Sequence, residues 1–462
     1  GAYVYKNHDD FPYYHLTYTL NLSENQFIIG TGIFSHGFRT FSSLFYYHSV
    51  LYMPFIKFYL FHIGPLFIII FFNYIVISEI FEKYKNNQIN FLYYFLLLSL
   101  IFVDIAFYRI SEHGTDRSAQ ILLLLIFYYF FNILFFEKNE NKISLNISIL
   151  LILIFLASSM KAIYYMYLLL LPVILFKKKF FKKIFKIKNT FIIFIFSICL
   201  FGNLAVNYFN TGCFIYPAEK TCIGDFEWSI PIKEVNRMNT HYEWWAKAGG
   251  GPGYRSDIKP SEYVKDFVWV ENWIQRHFFN KVSDTLFGII FICILVYFSY
   301  RHSSKGKRKK FTKINYLYYF FPIIFLFEWF FNHPAMRYGG YVLIGLPLFI
   351  YTSSILDKLN LTKKKIYTTT IIFILITVII FVGRNLIRLN KEINFYNYNI
   401  LKSPYFFIEK NKPSIIYENN DFKVYTPAEG KMCWAAKTPC SYYKKIKAKE
   451  FLGLKLVYRD DW

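Results

Sequence analysis

The sequence predicts an all-α polytopic membrane protein: about ten transmembrane helices, loops on one outer face, and a small disulfide-closed C-terminal appendage. Three observations carry this. Of 462 residues, 55% are hydrophobic and 23% aromatic, and the apolar residues gather in runs. Those runs are long enough to cross a hydrocarbon core ~30 Å thick. Lys and Arg collect in short blocks between alternate runs, the bias of cytoplasmic loops, while the unusual polar residues collect in the other gaps.

A formal net charge of +23 raises nucleic-acid binding, but the blocks between apolar runs account for it better. The abundance of Phe, Tyr, Ile, Lys and Asn reads as compositional bias as much as function. No signal peptide stands at the start, and one further helix is expected upstream to carry the first polar loop across the membrane.

Residues 1–56 form an outer-face loop. It holds Asn7-His8-Asp9-Asp10-Phe11-Pro12-Tyr13-Tyr14-His15 and then Ser35-His36-Gly37-Phe38-Arg39. Residues 57–207 hold candidate spans at 57–78, 90–108, 118–136, 144–158, 161–176 and 189–207. Residues 208–282 form a second outer loop. Residues 283–383 hold spans at 283–300, 314–331, 338–355 and 366–383, and 384–462 is an outer tail. Lys177–Lys188 carries seven lysines, Arg301–Lys313 seven Lys/Arg and Lys358–Lys365 four lysines. All three fall on one side if 144–176 is two short helices broken at Ser158-Ser159-Met160-Lys161. One long helix would bury Lys161 near mid-membrane, at roughly 2.5–3.5 kcal/mol.

In the second loop Val264, Phe267, Val268, Val270 and Ile274 recur near helical spacing beside Trp269 and Trp273, which predicts an interfacial helix. Gly249–Gly253 reads as a turn, either linker or lid. Cys213 with Cys222 and Cys433 with Cys440 each close a short loop and are expected to be oxidised outside the cytosol. Cys199 and Cys293 fall in apolar spans as small buried side chains. No Cys/His spacing calls for a metal, although two carboxylates would suit a divalent ion.

Several polar groups are candidates for chemistry. Asp9 and Asp10 suit a general base if one is raised in pKa, and the competing reading is a helix N-cap ahead of Pro12. His15, His36 and Arg39 are either ligand contacts or interface anchors. Asp116 caps a helix or joins the site. Lys161 wants an anionic partner. His333 and Arg337 close the last outer cluster, with Arg337 either on a phosphate or snorkelling.

These stretches resemble the GT-C superfamily, the polytopic glycosyltransferases that use polyprenyl-phosphate sugars. Asp9-Asp10-Phe11-Pro12-Tyr13 is similar to the family's Asp-Asp/Glu-x-x-Tyr loop. Tyr14-His15-Leu16 follows, and Gly30–Phe45 resembles a Gly…His…Arg…Ser-Ser re-entrant segment. Ser158–Lys161 looks like a Ser/Thr-x-Lys helix break, and Asn210–Pro217 like a Gly-x-x-x-Tyr-Pro loop. Pro334–Tyr338 resembles a Pro-x-Arg-Phe/Tyr segment with one extra residue, and Cys433–Cys440 a disulfide-bearing tail.

The resemblance implies sugar transfer from a lipid-linked donor on the periplasmic face of a bacterial cytoplasmic membrane. Asp9 or Asp10 would be the base, and matching by Asp-Asp/Glu-x-x-Tyr or by Asp-x-x-x-Tyr-His picks one or the other. Tyr14, His15, His36, Arg39, Asp116, Lys161, His333 and Arg337 would contact substrate. No cofactor and no nucleic acid are expected; membrane lipids and the donor are the expected partners, and no oligomeric state is implied. An O-antigen polymerase or ligase built on arginines in 208–282 and 332–337 is the alternative. A non-enzymatic transporter is a third reading, disfavoured because its ionisable residues would sit near the midplane.

Overall fold

The computed structural model describes residues 10–177, 187–249, 257–302, 316–397, 399, 413–419, 422–427 and 432–462. Asp9, most of the two seven-cation blocks and Gly250–Gly253 lie outside the described residues. The chain is a mostly helical membrane protein.

The first loop opens on a π-helical turn, Phe11–His15, leading into α1 (Leu16–Glu24). Strand β1 (Ile28–Ile29), two 3-10 turns (Thr31–Ile33 and His36–Arg39) and α2 (Ser43–Val50) follow. Then come α3 (Ile63–Lys85), α4 (Phe91–Ala106), the single turn α5 (Ile110–His113), α6 (Thr115–Phe131) and α7 (Glu140–Met160). A 3-10 stretch, Ala162–Leu169, passes into α8 (Leu170–Lys177), and α9 (Ile187–Thr211) follows. After α9 come α10 (Ile232–Lys247) and α11 (Pro260–Tyr263). Next, α12 (Val270–Trp273) runs through a π-helical segment into α13 (Ser283–His302). Helices α14 (Leu317–Asn332), α15 (Gly340–Leu356) and α16 (Lys363–Tyr396) complete the set.

Among the described residues six stretches are long and apolar enough to cross a membrane: Phe58–Lys85, Thr115–Phe136, Glu140–Met160, Phe191–Thr211, Val270–His302 and Lys363–Tyr396. Shorter apolar helices occupy Phe91–Ala106, Ala162–Phe176, Leu317–Asn332 and Gly340–Leu356. Every apolar run marked in the sequence is thus helical. Local chemistry sets several ends. Asn90 accepts from the Leu92 N–H at the start of α4, and Asn139 accepts from Asn141 and Lys142 at the start of α7. Helix α7 stops at Met160, and Lys161 is extended, with φ −153°.

Helices α4 and α6 are buried nearly all round, as expected for helices apolar on every face. They are wrapped by α3, α7 and α15. Helices α9 and α16 lie at the periphery, with Phe191, Ile198, Phe201, Ile372, Leu375 and Ile379 exposed.

Two expectations need correction. Residues 264–269 form turns, and no separate interfacial helix covers Val264–Ile274; the helix beginning at Val270 continues directly to His302. Trp269 and Trp273 are buried against Phe330 instead of facing an interface. The amphipathic helix of that loop is α10, farther upstream.

The tail carries strands and a disulfide, and it packs onto the first loop. Its strands β2 (Pro413–Asn419) and β3 (Phe422–Pro427) pair with each other, and β4 (Lys447–Phe451) pairs antiparallel with β5 (Leu454–Tyr458). Strand β5 then pairs in parallel with β1 of the first loop, Ile28 opposite Lys455. Tyr18, Ile28, Phe34, Cys213, Val235, Val424 and Val457 share one small core, so first loop, second loop and tail form one layer. Disulfides join Cys213 to Cys222 and Cys433 to Cys440. Cys199 and Cys293 are free.

Candidate functional site

Four charged residues from four distant segments meet under this layer. Arg337 donates from Nη2 to Asp10 Oδ2 at 2.7 Å and from Nε to Asp116 Oδ2 at 2.7 Å. The other oxygen of Asp116 takes the Lys161 ammonium. Asp116 stands in the first turn of α6, Lys161 just past the end of α7, and Arg337 between α14 and α15. Those positions share one end of the helical bundle. The helix ends and connections at the opposite end carry Lys85, Lys138, Lys142 and Lys363–Lys365.

The backbone around Arg337 is clamped by side chains. Trp273 Nε1 donates to the Pro334 carbonyl at 2.6 Å, and Trp329 Nε1 to that of Ala335 at 2.9 Å. Gln120 Nε2 reaches the carbonyls of Met336 (3.2 Å) and Arg337 (3.1 Å). His277 accepts the Met336 N–H at 3.3 Å. Gly339, at φ 105°, then turns the chain into α15, a conformation that favours glycine. Burial opposes charge on Arg337, but Asp116 and then Asp10 hold it firmly protonated. Lys161 also lies over the Tyr338 ring, 4.3 Å from its centroid.

Asp10 sits just before the turn Phe11–His15, yet its side chain makes no cap hydrogen bond. Its carboxylate is spent on Arg337 instead. Asp116, likewise near a helix start, bridges both cations. The capping reading thus fails for Asp10, and charge pairing dominates for Asp116.

A cavity of about 500 Å³ opens beside this network. Of the residues marked in the sequence, Asp10, Tyr14, His36, Asp116, Lys161, His333 and Arg337 line it. His15 and Arg39 do not belong to that lining. His15 packs on Tyr14 and Phe45. Arg39 is fully buried and committed: Nη1 meets Glu234 at 2.7 Å, Nε meets the Gly32 carbonyl at 3.1 Å, and Trp462 lies over the guanidinium. Burial resists ionisation of Glu234, but Arg237 and Arg39 bring it down to about 2.

His36 is pushed down to about 4, by burial first and then by Arg39 and His241. It is therefore neutral near pH 7, with Nδ1 3.2 Å from the Tyr13 hydroxyl. Gly37 next to it lets Tyr14 pack against this turn: a Cβ there would stand 2.2 Å from the Tyr14 ring.

The far wall was not anticipated. Asn203 and Asn207 of α9 line the cavity, with Asn239, His241, Tyr242 and Trp245 of α10. Tyr165 donates to Asn203 Oδ1 at 2.5 Å. The available signal was Asn203, Asn207 and Asn210 at helical spacing inside an apolar run. Carboxamides are costly there unless they face polar partners. Among the described residues no set of three His, Cys, Asp or Glu side chains converges as a metal centre.

Chemically, the arrangement offers two carboxylates, two fixed cations and an aromatic-carboxamide wall around one cavity. It suits an anionic group at Arg337 and Lys161 and hydroxyl groups opposite. Residues 3–344 match the family described as "Domain of unknown function (DUF8201)". The chain belongs to that family. The DUF8201 match contains all four members of the charge network and both walls of the cavity, and it leaves α16 and the tail outside. Comparison with curated proteins and with solved structures finds no match.

Proposed function

We propose that this chain is a membrane glycosyltransferase of the GT-C type. It moves a sugar from a polyprenyl-phosphate-linked donor to an acceptor hydroxyl. The observation that carries the reading is the network Asp10–Arg337–Asp116–Lys161 at a cavity walled by carboxamides and aromatic rings. The finer topology belongs to the same proposal. The chain crosses a bacterial cytoplasmic membrane ten times, and the site faces the periplasm because Lys85, Lys138, Lys142 and Lys363–Lys365 lie at the opposite end of the bundle.

In the proposed reaction Asp10 takes the proton of the acceptor hydroxyl. The acceptor oxygen bonds to the anomeric carbon, and the bond from that carbon to the donor phosphate oxygen breaks, with inversion. The lipid phosphate leaves with the electron pair and meets Arg337 and Lys161, placed where charge develops. Arg337 holds the Asp10 carboxylate by an ion pair. A donor phosphate competing for Arg337 frees that carboxylate for the acceptor hydroxyl. The O-antigen-type alternative gains less support. Arg237 of the second loop pairs with Glu234 at 2.6 Å, and among the described residues Arg337 is the one of its arginines that lines the cavity.

The test is sugar transfer from a synthetic polyprenyl-phosphate sugar by purified protein. Asp10→Asn is expected to lower the rate by about 10²–10⁴-fold, the usual worth of a general base, with insertion and melting retained. Asp9→Asn, run beside it, decides which register holds the base. If both variants keep full activity, the transferase mechanism fails.

A further inference from the structure

A second cavity, about 930 Å³, lies between the residues following α4 and the far end of α16. Arg109, Arg384, Arg388 and Lys391 line it against one acid among the described residues, Glu392. Arg388 and Glu392 are both buried and paired at 3.0 Å, a contact internal to α16. Arg384 is held flat: its guanidinium lies 3.8 Å from the Tyr108 ring centroid, and Nη1 donates to the Ile105 carbonyl at 2.5 Å. Asn394 and the apolar or aromatic side chains of Tyr108, Ile387, Phe395 and Tyr396 complete the wall. None of these residues belongs to the cavity beside Asp10.

Helix length sets where this groove sits. Lys363–Tyr396 is 34 residues, about 51 Å at 1.5 Å per residue, well beyond a ~30 Å hydrocarbon core. The apolar run ends at Gly383, so Arg384–Tyr396 emerges at headgroup depth. Below it Ile372, Ile376 and Ile379 project from one stripe of α16 and are 48%, 44% and 68% exposed. Their spacing continues to Ile387, which is 60% exposed and lines the groove. An apolar stripe that would lie along acyl chains thus leads into a pocket with excess positive charge. Cations at that depth attract anionic headgroups.

We infer that this groove is a binding site for an anionic phospholipid. The phosphodiester sits by Arg384 and Lys391, and an acyl chain lies along the stripe below Ile387. The site is independent of the catalytic reading, because it uses none of the same residues.

The test is lipid binding by the full chain in neutral detergent, read by native mass spectrometry and by thermal unfolding. The probes are phosphatidylglycerol, phosphatidylcholine and inorganic phosphate. Phosphatidylglycerol is expected to bind and to raise the melting temperature. Exposed Lys391→Gln should weaken it about fivefold, and Arg384→Gln with Lys391→Gln by more than about tenfold. Arg384→Lys, which keeps the charge, should retain most of the binding and guards against mere misfolding. Equal binding of phosphatidylcholine overturns the proposal, as does phosphatidylglycerol binding unchanged in both Gln variants. Inorganic phosphate as tight as the lipid overturns the lipid as occupant.

Discussion

Arg337 is the residue on which the site turns, because its planar fork serves two carboxylates at once from Nε and Nη2. A lysine keeps the charge but is a single point donor and cannot reproduce both contacts. Arg337→Lys is therefore expected to leave one of Asp10 and Asp116 short of a partner, costing about 1–3 kcal/mol in denaturant unfolding. Under the proposed mechanism it should also cut transfer by at least about tenfold. His36 provides the pH signature. Its folded pKa, about 4, lies below the ordinary 6.5, so between those values the unfolded chain binds a proton that the folded chain does not. Stability is then full above about pH 6.5 and falls as pH drops toward 4, with a slope of at most about 1.4 kcal/mol per pH unit. Unfolding titrations from pH 7 to pH 5 should show this loss in the wild type. They should show about 2 kcal/mol less of it in His36→Gln.

The supports of the site belong to whole elements. Four side chains from α6, the α12–α13 helix and α14 fix the segment Pro334–Arg337, so Arg337 is placed by helices remote in sequence from Asp10. Trp273→Phe keeps the ring packing and removes only the hydrogen bond to the Pro334 carbonyl. It should cost about 1–3 kcal/mol and reduce transfer several-fold, seen by comparing melting and turnover in one preparation. Legibility follows the same division. Hydropathy finds α3, α4, α6 and α13–α16 because each is an apolar run. The Lys161 break is legible because a lone cation in an unbroken span is costly. Helix α10 escapes, since a surface helix of polar composition looks like loop to a span search. The turns at Val264–Trp269 mislead for the opposite reason: Trp269 and Trp273 look interfacial by type, and only tertiary contact with Phe330 shows them buried. Of the site, Asp10, Asp116, Lys161 and Arg337 were readable as charges out of place among apolar runs. The commitment of Arg39 to Glu234 was not, because nothing local links residues 195 positions apart.

At the scale of the molecule the tail is a latch on the first loop. Parallel pairing of β1 with β5 joins residues more than 400 positions apart, with only Ile28 and Ile29 in register, too short a strand for any pattern to reveal. The disulfide-closed turn Cys433–Cys440 sits on the segment that follows Asp10. Thr17 Oγ1 donates to the Trp434 carbonyl at 2.9 Å, and the Tyr442 hydroxyl donates to the Tyr13 carbonyl at 2.9 Å. Tyr13 and Tyr442 also stack at 5.3 Å, and Tyr13 in turn contacts His36. Closing so short a loop restricts the unfolded tail by about 2–3 kcal/mol in the chain-entropy account. Cys433→Ser with Cys440→Ser should therefore loosen the tail first, before the helical bundle melts. Hydrogen exchange should rise at Tyr13–Thr17 and Tyr442 while α4 and α6 stay protected. Transfer should fall because Asp10 is then less well held, not because a reacting group has gone. A double serine variant with unchanged exchange at Tyr13–Thr17 would show that the tail does not position the first loop.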